Sequence, residues 1–265
     1  MTDVLERAEV VQVAVSAHRG GSESAPSATW EAYKHSVDTG AEYVEFDIRR
    51  TADGQLVIYH DDRVTESPQH PLISRLTHPQ LSDLAGYAVP LAAEVMEVIA
   101  GKAIGHLDLK EVGGEAEIIS LALDILGADS FVATTLEDVS VAAIKQRFPH
   151  VRTALSLGRD MRSSSRFRWA RTRVSELFPL RRIRACGADW VAVHQRLART
   201  RVLATCAKHG IGAMVWTVND QPSIDRFLSD ARVAVLITDK PELAVRRRAA
   251  RLGLPSPQQN TPSPG

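Results

Sequence analysis

Short apolar, β-branched runs alternate with stretches of helical periodicity along most of this chain. The first run spans residues 11–17, and a helical pattern over residues 29–38 follows it, with Trp30, Tyr33 and Val37 at helical spacing behind a cap near Ser27. Residues 43–49 read as the next strand. An Asp53-Gly54 pair then separates two alternating runs, a strong short-range signal for a hairpin into residues 55–60. Further strand-like runs lie at residues 104–109, 131–134, 152–157, 190–193, 213–218 and 233–238, with helical patterns between most of them. The alternation predicts an α/β fold with a mostly parallel sheet and crossover helices. Nine strand candidates are one more than a (β/α)8 TIM barrel holds, so either one is a hairpin partner beside the barrel or one run is not a strand.

Three segments break the rhythm. Residues 61–90 carry scattered Pro, His and Ser and predict an irregular insertion over the barrel mouth after the hairpin. Residues 158–184 are rich in arginine, from Arg159 to Arg184, with Phe167, Trp169 and Phe178 among them. Residues 254–265 lack an apolar set to bury and predict a disordered tail. Residues 1–10 are then a lead-in and residues 11–250 one barrel domain, which suits a chain of 265 residues, 44% hydrophobic and 24% charged.

Lysine plus arginine balance aspartate plus glutamate at 32 each, so the overall field gives no reason to expect nucleic acid as a partner. Cys186 and Cys206 stand outside any zinc or redox spacing and read as core thiols. The first residues lack the basic-then-apolar order of a secretory signal, which points to the cytoplasm. No run approaches the roughly 18–20 apolar residues of a bilayer span, so any membrane contact is expected to be peripheral.

Reactive groups in such a barrel sit where strands end, because the loops leaving the C-terminal ends form the open face. Polar residues at or just after strand ends are His18-Arg19-Gly20-Gly21, Glu45 and Asp47, His60-Asp61, Asp108 with Lys110, and the stretch from Trp216 to Asn219. Glu45 and Asp47 are two apart and leave one face of their strand; His106, Asp108 and Lys110 share a face by the same parity. A turn centred between Ala52 and Asp53 sets Asp47 opposite Ile58 and Glu45 opposite His60. Three carboxylates converging in a mouth repel one another unless a cation sits among them, and an all-oxygen donor set suits Mg²⁺ or Ca²⁺ rather than zinc. Taken singly, each group reads as readily as a solvated face or a satisfied polar residue. Coincidence at four strand ends favours chemistry.

In that order, His18-Arg19-Gly20, Glu45-Phe46-Asp47 with the Asp53-Gly54 turn, His60-Asp61, Leu107-Asp108-Leu109-Lys110, Trp216-Thr217-Val218-Asn219 and Ile237-Thr238-Asp239-Lys240-Pro241 resemble the glycerophosphodiester phosphodiesterase family. The resemblance implies a (β/α)8 barrel that cleaves glycerophosphodiesters to glycerol 3-phosphate and an alcohol. It implies a divalent cation, Mg²⁺ or Ca²⁺, on Glu45, Asp47 and Asp108, and His18 and His60 as an acid–base pair, with His18 taken as the base and His60 as the acid and the reverse assignment open. Arg19 and Lys110 become phosphate contacts and Trp216 a wall for the alcohol. Asn219 and His106 are further candidates, His106 equally as a core histidine.

The chain departs from the family pattern in places. It has Pro26-Ser27-Ala28-Thr29 where Pro-Glu-Asn-Thr is usual, Asp108 where glutamate is common, and Val233-Ala234-Val235 in place of an Asp-Gly step. These leave two other readings open. One is a lysophospholipase D or sphingomyelinase D-like lipid phosphodiesterase, with the arginine-aromatic segment as lid or lipid contact. The other is a barrel that binds phosphate or a partner without turnover.

Overall fold

Strands covered on both faces by protein read as continuous apolar runs. The computed structural model, which describes residues 12–65, 67–158 and 166–254 (backbone only for 166–171), gives the runs of this chain that role. The strands are β1 (Ala14–Ala17), β2 (Tyr43–Arg50), β3 (Leu56–Ile58), β4 (Ile104–Leu109), β5 (Phe131–Thr135), β6 (Arg152–Leu157), β7 (Trp190–His194), β8 (Gly212–Trp216) and β9 (Val235–Thr238). Eight of them are parallel neighbours in the order β1-β9-β8-β7-β6-β5-β4-β2, and pairing of β1 with β2 closes the barrel. β3 is the ninth, antiparallel to the end of β2. It is the hairpin partner beside the barrel.

Side chains alternate along each strand between the barrel interior and the helix layer. Tyr43, Val132, Ala154, Ala192, Met214, Val235 and Ile237 fill the interior. Val44, Phe46 and Ile48 of β2 point outward onto a cluster with Tyr33, Met96 and Ile99. Toward the C-terminal ends of the strands the interior changes from apolar to polar, with Ser16, Glu45, His106 and Thr134 all buried. That change of lining sets this end of the barrel apart from the other.

Three local expectations are corrected. The hairpin register is one residue off the expected one: Ile48, not Asp47, faces Ile58. The cause is the loop, in which Thr51 N–H donates to Gln55 O at 3.0 Å around Ala52, Asp53 and Gly54, with Gly54 at φ 82°. Three residues turn the chain rather than two, and a one-residue slip moves every cross-strand pair. The cap of the helix Trp30–Ser36 is Thr29, not Ser27: Thr29 Oγ1 accepts the Ala32 N–H at 3.3 Å and donates to Pro26 O at 2.7 Å. Residues 61–90 are also less irregular than expected. They hold the helix His78–Ala85, started by a Thr77–Gln80 capping box and ended by Gly86 in the left-handed region. A small core of Val57, Val64, Ile73, Leu81 and Val89 anchors this segment against the hairpin.

The arginine-rich stretch contains the helices Arg166–Leu177 and Leu180–Cys186. Arg159 and Arg162, with the side chains of Arg166, Phe167, Arg168, Trp169 and Arg171, lie outside the described residues, as do the expected lead-in and residues 255–265 of the expected tail. Among the described residues no helix is long and apolar enough to cross a membrane.

Ala28 has a φ of 63°, in the left-handed region where a Cβ costs roughly 1–2 kcal/mol. Glycine escapes that cost and loses only about 0.5–1 kcal/mol of it to chain entropy. Ala28→Gly is therefore expected to raise stability by roughly 0.5–1 kcal/mol, read as a higher urea midpoint at unchanged slope. A lower midpoint shows that the strain is absent.

Candidate active site

The turn after β1 is built by steric demand. Gly20 and Gly21 take φ values of 78° and 91°, and a Cβ on either sits 2.9 Å from Ala32 or Pro241, closer than real contacts allow. Between the barrel and these glycines, Arg19 is held at φ 50°, ψ 39°, an uncommon conformation for a residue with a side chain. This backbone sends the Arg19 N–H to Glu45 Oε2 at 2.8 Å and Arg19 Nε to Asp47 Oδ2 at 2.9 Å.

Glu45 and Asp47 come from β2, and parallel pairing places Asp47 beside Asp108 of β4. One oxygen from each of Glu45, Asp47 and Asp108 lies within 4.8 Å of the others. Lys110 Nζ reaches Asp47 Oδ1 at 2.7 Å and contacts Asp108 Oδ2. The carboxylates do not share this charge equally. Burial raises Glu45 above the usual carboxylate range, and the neighbouring Asp47 charge adds to it. Burial pushes Asp47 the same way, but Lys110 and Arg19 outweigh it and hold Asp47 well below that range. Burial works against the Lys110 charge, yet Asp108 and Asp47 keep it firmly protonated.

The donor set fits a hard divalent cation. It is all oxygen, and both carboxylate oxygens of Asp47 are buried without an aligned hydrogen-bond donor although Arg19 and Lys110 stand beside them as charges. Glu45 as a raised acid next to Asp47 marks surplus negative charge that a cation relieves.

His18 is fixed by a carboxylate of its own. His18 Nδ1 lies 2.5 Å from Asp239 Oδ1, which leaves Nε2 turned inward, 3.9 Å from Glu45 Oε2. Asn219 in turn holds Asp239: its Nδ2 donates to Asp239 Oδ2 at 2.5 Å and its Oδ1 accepts the Asp239 N–H at 2.9 Å. Burial disfavours the charged form of His18, but the Glu45 charge and the Asp239 hydrogen bond prevail and raise its pKa. His60, at the rim with its side chain 45% exposed, pairs through Nδ1 with Asp61 Oδ1 at 2.7 Å. Partial burial lowers its pKa; Asp47 pulls the other way, and Lys110 and Arg19 reinforce the lowering. The two imidazoles therefore stand on opposite sides of the ordinary histidine value.

His106, in register with Glu45, is 3% exposed, with Nδ1 at 3.2 Å from Ser16 Oγ and Nε2 at 3.1 Å from Thr134 Oγ1. Burial pushes it down to about 4, so the ring is neutral. Across the mouth, Trp216 packs edge-on against His194 at 5.1 Å, and its buried Nε1 has no partner among the described residues.

The structure thus gathers Glu45, Asp47, Asp108, Arg19, Lys110 and His18 in one centre, with His60 at its rim and Asn219 behind His18. Sequence reasoning gave no role to Asp239, although it stands in one of the stretches that carry the resemblance, and did not single out Ser16, Thr134 or His194. Asp239 was open to the strand-end test, because it follows β9 with the parity of the interior residue Ile237.

An eight-stranded parallel barrel with three carboxylates gathered at the C-terminal ends of its strands has the layout in which barrel enzymes carry their active sites. The glycerophosphoryl diester phosphodiesterase family model matches residues 18–243, and the chain belongs to that family, among the phosphoric diester hydrolases. The glycerophosphodiester phosphodiesterase of Caldanaerobacter subterraneus subsp. tengcongensis is 24% identical over 248 residues, 87% of this chain and 96% of its own. A glycerophosphodiester phosphodiesterase structure from Parabacteroides distasonis superposes with a TM-score of 0.72 at 19% identity, covering 91% of this chain and 98% of that one. An Oleispira antarctica phosphodiesterase solved with the product sn-glycerol-3-phosphate has a TM-score of 0.67 at 20% identity, covering 87% of this chain and 94% of its own.

Proposed function

We propose that this protein hydrolyses glycerophosphodiesters to glycerol 3-phosphate and an alcohol, with a divalent cation, Mg²⁺ or Ca²⁺, on Glu45, Asp47 and Asp108 and proton transfer by His18 and His60. The observation that carries the reading is the convergence of those three carboxylates within 4.8 Å beside Arg19 and Lys110. A phosphodiester is an anion that resists attack by oxygen, so a site must neutralise it and move two protons. When bound, the cation supplies Lewis-acid stabilisation of charge growing on the phosphoryl oxygens. Arg19 and Lys110 add fixed positive charge beside it.

The opposite tilt of the imidazoles supports a division of labour. His60, with its pKa lowered, takes the proton of the attacking hydroxyl, either the substrate's own 2-hydroxyl or water. His18, with its pKa raised and its Nδ1 held by Asp239, delivers a proton from Nε2 to the departing alkoxide. The phosphorus–oxygen bond to the alcohol breaks as the new one forms; attack by water gives glycerol 3-phosphate directly, whereas attack by the 2-hydroxyl gives a cyclic phosphate that a water then opens, His18 taking the water's proton and His60 returning one to the 2-oxygen. Trp216 offers an apolar wall for the alcohol.

Protein stripped with a chelator is expected to release no glycerol 3-phosphate from glycerophosphocholine, and Mg²⁺ or Ca²⁺ is expected to restore release. Undiminished turnover after stripping sinks the cation's part in this reading. Choline release from lysophosphatidylcholine in preference to glycerophosphocholine reassigns the substrate to lysolipids.

A further inference from the structure

Beside the acidic centre, buried polar residues on three strands form a hydrogen-bonded chain that the proposed reaction does not use. Ser16 on β1, His106 on β4 and Thr134 on β5 are 0%, 3% and 1% exposed, so their donors and acceptors have to be satisfied by protein. Ser16 Oγ meets His106 Nδ1 at 3.2 Å, His106 Nε2 meets Thr134 Oγ1 at 3.1 Å, and Thr134 Oγ1 meets Asp108 Oδ1 at 2.8 Å.

The direction of this chain follows from counting hydrogens. A threonine hydroxyl has one. Thr134 Oγ1 also lies 3.3 Å from Leu107 O, but a hydrogen sent there leaves two sets of lone pairs opposed at the shorter contact with Asp108. The hydrogen therefore goes to Asp108 Oδ1, a charged and nearer acceptor. Thr134 Oγ1 must then accept from His106, which puts the ring proton on Nε2. At the other side of the ring, Nδ1 faces Ser16 Oγ at 3.2 Å, which holds the imidazole in place. Both the His106 and the Thr134 hydrogens run one way, toward the carboxylate.

We infer that Ser16, His106 and Thr134 are positioning residues: the relay locks Asp108 Oδ1 and so presents Asp108 Oδ2 to the cation centre in a fixed orientation. The last torsion of an aspartate is broad and roughly two-fold, so the carboxylate needs a partner to hold its plane. Thr134 holds one oxygen, and Lys110 meets the other. The inference rests on the cation centre proposed above and adds that these buried partners set the strength of that centre.

Outer hydrogen-bond partners of metal ligands typically contribute about 10–100-fold in metal affinity. Titration calorimetry of the full chain with Mg²⁺, and separately with Ca²⁺, is expected to show Thr134→Val weaker by that factor and Thr134→Ser, which keeps the hydroxyl, close to wild type. Thermal unfolding of the cation-free proteins reports whether they are folded. Ser16→Ala, which leaves Asp108 and Thr134 in contact, is expected to lose less, and it carries the test if the valine variant does not fold. Long-range ¹H–¹⁵N spectra of cation-free wild type are expected to place the His106 proton on Nε2. A bare Nε2, or unchanged affinity in folded Thr134→Val, overturns the relay alone. Wild type that binds neither cation, or Asp108→Asn that binds as wild type does, overturns the underlying centre and the relay with it.

Discussion

Replacing Asp47 by Asn is expected to lower kcat/KM on glycerophosphodiesters by roughly a thousandfold or more, because a bound cation stabilises the transition state by several kcal/mol and each 1.36 kcal/mol is a factor of ten. Asp47 is 1% exposed and stands where the charges of the site meet, 2.9 Å from Arg19 Nε and 2.7 Å from Lys110 Nζ. The substitution keeps the shape and removes the charge. It takes one proposed cation ligand out of the set, and it leaves Arg19 without the carboxylate that aims its guanidinium. Lys110 keeps Asp108, so the fold does not inherit a wholly unpaired ammonium. The expected signature is a collapse of Mg²⁺ affinity and of kcat/KM together, in a protein whose cation-free melting curve shows that it is folded. Activity within tenfold of wild type removes Asp47 from the centre.

The parts of the fold legible in the sequence are those fixed by a strand's own geometry. That Glu45 and Asp47 share a face follows from the two-residue period of a strand, and the structure turns both into the interior, buried. Pairing across the hairpin depends instead on how many residues turn the chain. Asp53-Gly54 marked the turn but not its length, and the Thr51–Gln55 closure set the register one residue away. The choice between Ser27 and Thr29 as helix cap had the same character. Both are good caps by chemistry, and Ala28, turning the chain at φ 63°, leaves Thr29 in the extended conformation that a cap needs. The helix His78–Ala85 is eight residues long, too short for periodicity to reveal, although its capping box was present in the letters.

The candidate site divides along the same line. Charged groups at strand ends stand out, because a charge following an apolar run demands a reason. Hydroxyls such as Ser16 and Thr134 do not, since a buried serine or threonine is commonplace, and only three-dimensional adjacency to His106 and Asp108 gives these two a task. His106 illustrates the limit. Its parity allowed a place either in the mouth or in the core, and the coordinates put it in register with Glu45, two residues before Asp108 on its strand, buried and with both ring nitrogens engaged.

His18→Ala and His60→Ala are each expected to slow turnover of glycerophosphocholine by roughly 10²–10⁴-fold, the usual contribution of a positioned general acid or base. Their responses to the leaving group are expected to differ. Choline leaves as an alkoxide that has to be protonated, whereas p-nitrophenolate is stable without a proton. If His18 Nε2 is the donor, as its Asp239-anchored orientation supports, His18→Ala recovers most of its loss on the p-nitrophenyl ester of glycerol 3-phosphate. His60→Ala does not, because attack on phosphorus still needs its base whatever departs. The opposite pattern exchanges the two roles while keeping the pair. Near-normal turnover of glycerophosphocholine by either variant removes that imidazole from the chemistry. Mg²⁺ affinity close to wild type in both separates loss of proton transfer from loss of the cation, since neither histidine belongs to the carboxylate set proposed to hold it.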